Sequence, residues 1–107
     1  MNQAEQFCRQ GLALDPNNPH RMYSLARVLI KSDINLEEGV ELAEKAVKLE
    51  PGFYGSLHMY GLGLFKQGKY KKALEILNQA WEARGIYDLD LKRDIQEVEK
   101  ELTENLN

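Results

Sequence analysis

Residues Tyr54 to Gly85 read YGSLHMYGLGLFKQGKYKKALEILNQAWEARG, and they decide the fold. Two amphipathic patterns flank one short turn, Lys66-Gln67-Gly68-Lys69. In the first, Leu57, Tyr60, Gly61 and Leu64 recur at the three-then-four spacing that puts side chains on one helix face. In the second, Ala73, Leu77 and Ala80 do the same, and Leu74 and Trp81 widen the stripe. Gly68 stands where the first helix stops, because glycine enters the left-handed cap without a steric penalty. A helix pair this short cannot bury its apolar face alone, so the rest of the chain must supply neighbours. The object is a helical repeat module.

Working outward, the spacing predicts further helices of the same kind. Towards the N-terminus, Leu36 to Leu49 forms a helix with Gly39, Val40, Ala43, Ala46 and Val47 inward, Asn35 as N-cap and Glu37 and Glu38 at its positive end. Glu50-Pro51-Gly52 closes it. His20 to Lys31 forms another, with Met22, Leu25, Ala26 and Leu29 on one face and Ser32-Asp33-Ile34-Asn35 as the turn after it. Pro16 and Pro19 break the chain before that helix, and Pro19 is suited to opening it. The first helix spans about Asn2 to Leu14, with Ala4, Phe7, Cys8, Gly11, Leu12 and Leu14 at its apolar and small positions. Towards the C-terminus, Asp88 N-caps a last helix that reaches Leu102 or Leu106. Its stripe is Leu91, Ile95, Val98 and Leu102, and its other face is charged, as befits a cap against solvent.

The period confirms the architecture. Pro16 and Pro51 stand 35 residues apart, each after a Leu-acid pair, and Gly85 follows 34 residues later where a third proline would stand. Two helices per unit of that length make a solenoid.

These spacings resemble the tetratricopeptide repeat, whose pattern is W-x2-L-G-x2-Y, then small, aromatic and small positions and a closing proline. Leu57, Tyr60, Gly61 and Leu64 occupy the first four places, and Ala73, Leu77 and Ala80 the next three. Lys69-Tyr70-Lys71-Lys72-Ala73 looks like the start of that second helix. In the preceding unit the places hold Met22, Leu25, Ala26 and Leu29, then Gly39, Ala43, Ala46 and Pro51. That unit is one residue longer, with the excess in the Asp33–Leu36 turn. The resemblance implies an all-α, right-handed α-α superhelix of antiparallel helix pairs. Its units would be residues 1–18 (the second helix of a partial repeat), 19–53, 54–87 and a capping helix over 88–107. Because the first repeat lacks its first helix, Ala4, Cys8 and Gly11 are expected to form an open small face. Residues removed upstream, or a second copy covering that face, would account for it.

What the resemblance implies for function is a protein or peptide ligand held on the inner, concave face. The positions that map there are Tyr23, Arg27, Ile30 and Lys31 with His20 on one helix. On the next they are His58, Leu62, Phe65 and Lys66 with Gly55. Tyr23 and Phe65 offer rigid apolar area, and Arg27, Lys31 and Lys66 can pair with carboxylates. Tyr23, Arg27 and Met59 stand where the family's chaperone-type clamp has Lys, Asn and Arg or Lys, which argues against that clamp. Homodimerisation through the unpaired first helix is the alternative, as is service as an accessory domain of an upstream enzyme.

Composition limits the remaining classes. At 107 residues, 43% apolar and 29% charged, the chain has room for one core and is not read as disordered. No apolar run approaches the ~20 residues of a membrane span. A net charge of −3 weighs against nucleic acid as a bulk electrostatic partner. Cys8 is the only cysteine, so neither an internal disulfide nor a cysteine-based zinc site can form. With an N-terminus unlike a secretory signal, this favours a reducing, cytoplasmic setting. His20 and His58 lack companions at ligand spacing and read as satisfied surface histidines. Cys8 reads as a structural thiol, Trp81 as core, Gly61-Leu62-Gly63 as a close helix contact, and the Lys66–Lys72 turn as solvated. No nucleophile with a base, paired carboxylates or cofactor loop is present, so no enzyme activity and no cofactor or metal is expected.

Overall fold

Short polar side chains start most of the helices. Asn2 accepts the Glu5 N–H, Asn18 those of His20 and Arg21, Asn35 that of Glu38, and Asp88 that of Leu91. Each satisfies a backbone donor that the first helical turn leaves unpaired. The computed structural model describes residues 2–105, and every regular element among them is a helix. These are α1 (Gln3–Leu14), α2 (Pro19–Lys31), α3 (Leu36–Leu49), α4 (Tyr54–Lys66), α5 (Tyr70–Ala83) and α6 (Leu89–Asn105). The pattern-based boundaries hold to within a residue or so. Leu106, the outer of the two ends foreseen for the last helix, lies outside the described residues.

Two turns enter left-handed backbone. Gly68 ends α4 at φ +82°, as its position foretold. Asp33, 35 residues earlier, adopts φ +53° at the equivalent turn between α2 and α3. Aspartate is among the few side chains that tolerate this region, and nothing in the local pattern announced it.

The helices form two layers. In the inner layer α4 lies between α2 and α6 and adjoins both, and α1, α3 and α5 pack behind them. Between the layers lie Leu25, Ala26 and Leu29 of α2, Ala43 and Ala46 of α3, Leu57, Tyr60 and Leu64 of α4, and Ala73, Leu77 and Ala80 of α5. Leu91 and Val98 of α6 complete the core. Truncating any of the buried leucines to alanine removes apolar contact and leaves a cavity, at about 2–5 kcal/mol. The glycines of α4 let its neighbours approach: a Cβ on Gly61 would meet Leu77, and one on Gly63 would meet Val40 and Ile30. α4 is consequently buried from Gly55 to Leu64.

The first helix is open at Ala4, as expected, and departs from expectation at Cys8 and Gly11. Phe7 is 68% exposed and Leu14 85% exposed, and Ala4 also faces solvent. Gly11 is buried beneath the Arg21 side chain and Cys8 is half-buried, so the small face is not wholly open. Polar chemistry fixes α1 instead. Arg9 forks onto both carboxylate oxygens of Glu38 at 2.8 Å, and its Nε donates to Glu5 at 2.9 Å. Both carboxylates raise the Arg9 pKa above its ordinary value, and the guanidinium holds Glu38 below its own.

Candidate protein-docking face

The inner layer presents the side chains of α2 and α6 on either side of α4. On α2, Arg27 and Lys31 point away from the core, and neither has a partner among the described residues. Tyr23 beside them is half-buried, edge-on to Phe53 at 5.0 Å between ring centroids and close to Gly55. Phe53 also stacks with His20, whose Nε2 lies 2.9 Å from Glu50. At the other end, Phe65 is half-buried against Tyr70 with centroids 5.5 Å apart.

Four of the eight residues mapped to this face do other work. Ile30 is fully buried and packs against Gly39 and Gly63, so it is a core residue. Leu62 is only 8% exposed, because the tight packing of α4 leaves its inner face little open surface. His58 is 6% exposed rather than a surface histidine, and its Nε2 lies 2.6 Å from an Asp94 oxygen on α6. Lys66 reaches across to α2, donating to the Ile30 carbonyl at 2.8 Å and to Asp33 at 3.0 Å. It thereby supplies a cation to the negative end of that helix. Arg27 and Lys31 remain exposed, and Tyr23 and Phe65 half-buried.

Sequence reasoning treated α6 only as a cap, and the fold gives it more. Lys92 lies 5.3 Å from the centre of the Trp81 ring, which turns that side of α6 towards α5. Trp81 itself is half-buried, with Arg84 stacked 3.3 Å over its ring and Tyr87 edge-on at 5.5 Å. Asp94 meets His58, which turns the other side of α6 towards α4 and the inner face. Asp90 stands four residues before Asp94, and Glu97 and Glu101 stand three and seven after it, so all share that side. Asp90 pairs with Arg93, while Glu97 and Glu101 have no counter-ion among the described residues. The acidic row 90, 94, 97, 101 was readable in the sequence; the neighbour that reveals its direction was not.

A second tie fixes α6 in this position. The Tyr54 hydroxyl donates to Asp88 at 3.0 Å, and Asp88 also caps the helix. Burial pushes the Asp88 carboxyl up, but the Leu91 N–H and the Tyr54 hydroxyl outweigh it and hold it below its ordinary value. Tyr54 moves the opposite way, raised by burial and by its bond to that carboxylate.

Elsewhere, a depression of about 380 Å³ on the outer side is lined by Glu38, Glu41, Leu42, Glu44 and Lys45, all from α3. Among the described residues no cluster of three or more His, Cys, Asp or Glu side chains has the arrangement of a metal site. No described helix is long and apolar enough to cross a membrane.

The family described as anaphase-promoting complex, cyclosome, subunit 3 matches residues 32–85, half of the chain. Among solved structures, the tetratricopeptide domain of Sgt2 from Aspergillus fumigatus superposes with a TM-score of 0.85 at 24% identity. The match covers 94% of this chain and 67% of that one. No curated protein sequence matches the chain.

Proposed function

We propose, because this chain belongs to the tetratricopeptide-type family described as anaphase-promoting complex, cyclosome, subunit 3, that a protein segment docks along the inner face of α2, α4 and α6. Family and fold make the chain a protein–protein interaction module, and the finer reading concerns where its partner lies. The observation that supports it is the pairing of exposed Arg27 and Lys31, unneutralised, with the half-buried rings of Tyr23 and Phe65. Rigid aromatic area beside free cations is the composition of an energetic contact centre.

The test is selection of peptides from a displayed random library on the intact chain. Affinities are then measured for a variant with Arg27→Glu and Lys31→Glu. An outer-face control carries Lys45→Glu and Lys48→Glu. The inner-face variant is expected to lose about tenfold or more in affinity and the control to lose little. Equal losses in both, or loss only in the control, would place the contact elsewhere.

A second reading rests on α1. Phe7 and Leu14 are among the most exposed large apolar side chains, on a helix whose packing partner is α2. Self-association through them would appear as a solution mass that rises over a tenfold concentration range and falls back in Phe7→Ser. Cys8 is a poor probe for this purpose, since it is half-buried and a larger residue there would disturb the fold itself.

A further inference from the structure

We propose that the segment held on the inner face is a helix of divided charge, with carboxylates on the flank that meets α2, cations on the flank that meets α6, and an apolar stripe between. This rests on the inner-face reading above and adds the chemistry of the partner. Charge across the face is separated by helix. Arg27 and Lys31 on α2 are free of internal partners, and so are Glu97 and Glu101 on α6. Tyr23 and Phe65 supply half-buried apolar surface in the same inner layer. Like charges one turn apart destabilise a helix, so the row of Asp90, Asp94, Glu97 and Glu101 works against α6 on its own. A cationic partner flank relieves that repulsion, just as Arg93 already relieves it at Asp90. An anionic flank does the same for Arg27 and Lys31.

The occupant's secondary structure follows from the same geometry. An extended strand sends side chains to two opposite sides only. Three distinct surfaces, acidic, apolar and basic, require the angular spread of a helix. Opposed charges on the two walls also select against a uniformly charged partner, because one of its flanks always meets its own sign. The net charge of −3 makes the chain as a whole weakly attractive to cations, whereas the divided face favours a partner of near-zero net charge.

Three lactam-stapled synthetic helices of equal length test this by fluorescence anisotropy at low and physiological salt. One has Glu and Lys on opposite flanks of a Leu stripe, one has the same residues with the charges scrambled, and one carries Lys on both flanks. The divided helix is expected to bind at least about tenfold more tightly than either of the others. Arg27→Glu with Lys31→Glu should make both walls acidic and shift the preference to the all-Lys helix. Glu97→Lys with Glu101→Lys should abolish the preference for the divided helix. Circular dichroism checks that each variant keeps its helices. If the all-Lys helix binds the unmodified chain best and only the α6 variant weakens it, the inner face stands and the divided-charge partner falls. If the divided helix binds and neither wall variant changes its affinity, the inner-face reading falls. If no helix binds the unmodified chain, the divided-charge helix falls, and the displayed-peptide selection decides the inner-face reading.

Discussion

At Gly61 and Gly68 the same residue type serves unrelated purposes. Gly68 has open space around its Cα but a φ of +82°, so its requirement is conformational. Gly61 is ordinary helix, yet a Cβ there would stand 2.5 and 2.6 Å from two Leu77 carbons and 3.3 Å from its backbone nitrogen. Gly68→Ala should cost about 1 kcal/mol through strained backbone. Gly61→Ala should cost about 1–3 kcal/mol, because α5 must move away from α4. Urea unfolding measures both. Ser56, in the same helix, should respond with the opposite sign. Its hydroxyl is fully buried and has no hydrogen-bond partner among the described residues. Ser56→Ala removes that unsatisfied group and improves helix propensity, and should stabilise by about 1 kcal/mol on the same measurement.

At the scale of the element, α4 and α1 are opposites. α4 is covered by α2, α3, α5 and α6, whereas α1 packs on α2 and reaches α3 through the Arg9–Glu38 fork. Amide hydrogen exchange should therefore find its slowest protons in the middle of α4 and a faster set along α1. Arg9→Ala should quicken exchange in α1 selectively and leave α4 nearly unchanged. This contrast also marks what was legible beforehand. Helix positions were readable because proline, glycine and the three-four spacing act locally, and the α2 stripe from Met22 to Leu29 is buried as read. The α1 pattern marks Phe7 and Leu14 as apolar positions, but periodicity identifies an apolar face without saying whether anything covers it. His58 was misread for the converse reason. Its partner Asp94 stands 36 residues away, and no local pattern carries that information.

Across the whole molecule, the carboxylates held below their ordinary values join separate helices: Glu38 ties α1 to α3, and Asp88 ties α6 to α4. A depressed folded-state pKa gives stability that is complete above the unfolded value and is lost as pH falls towards the folded one. Thermal stability should thus begin to fall as pH drops through the ordinary values, 4.5 for Glu38 and 3.8 for Asp88. Tyr54 and Tyr60 are raised, chiefly by burial, so their contribution is complete below their ordinary 10.0 and is lost above it. Melting temperature against pH should form a plateau with losses at both ends. Glu38→Gln should flatten the acid shoulder, and an unchanged shoulder in that variant would remove Glu38 from the account. The solenoid as a class was evident from the 35-residue period, but these ties were not, since each links residues about one repeat or more apart and depends on how neighbouring units are rotated.

The long reach of Lys66 to the end of α2 has a mechanical consequence. Together with Tyr54–Asp88 and His58–Asp94, it laces α2, α4 and α6 along one edge of the molecule. On the opposite edge, α3 and α5 come no closer than 8 Å between Cα atoms. A body tied directly along one side, and on the other joined only indirectly through α4, bends like a book held at its spine. Thermal flexing of this chain should fan α3 and α5 apart while the spacing of α2, α4 and α6 stays nearly constant.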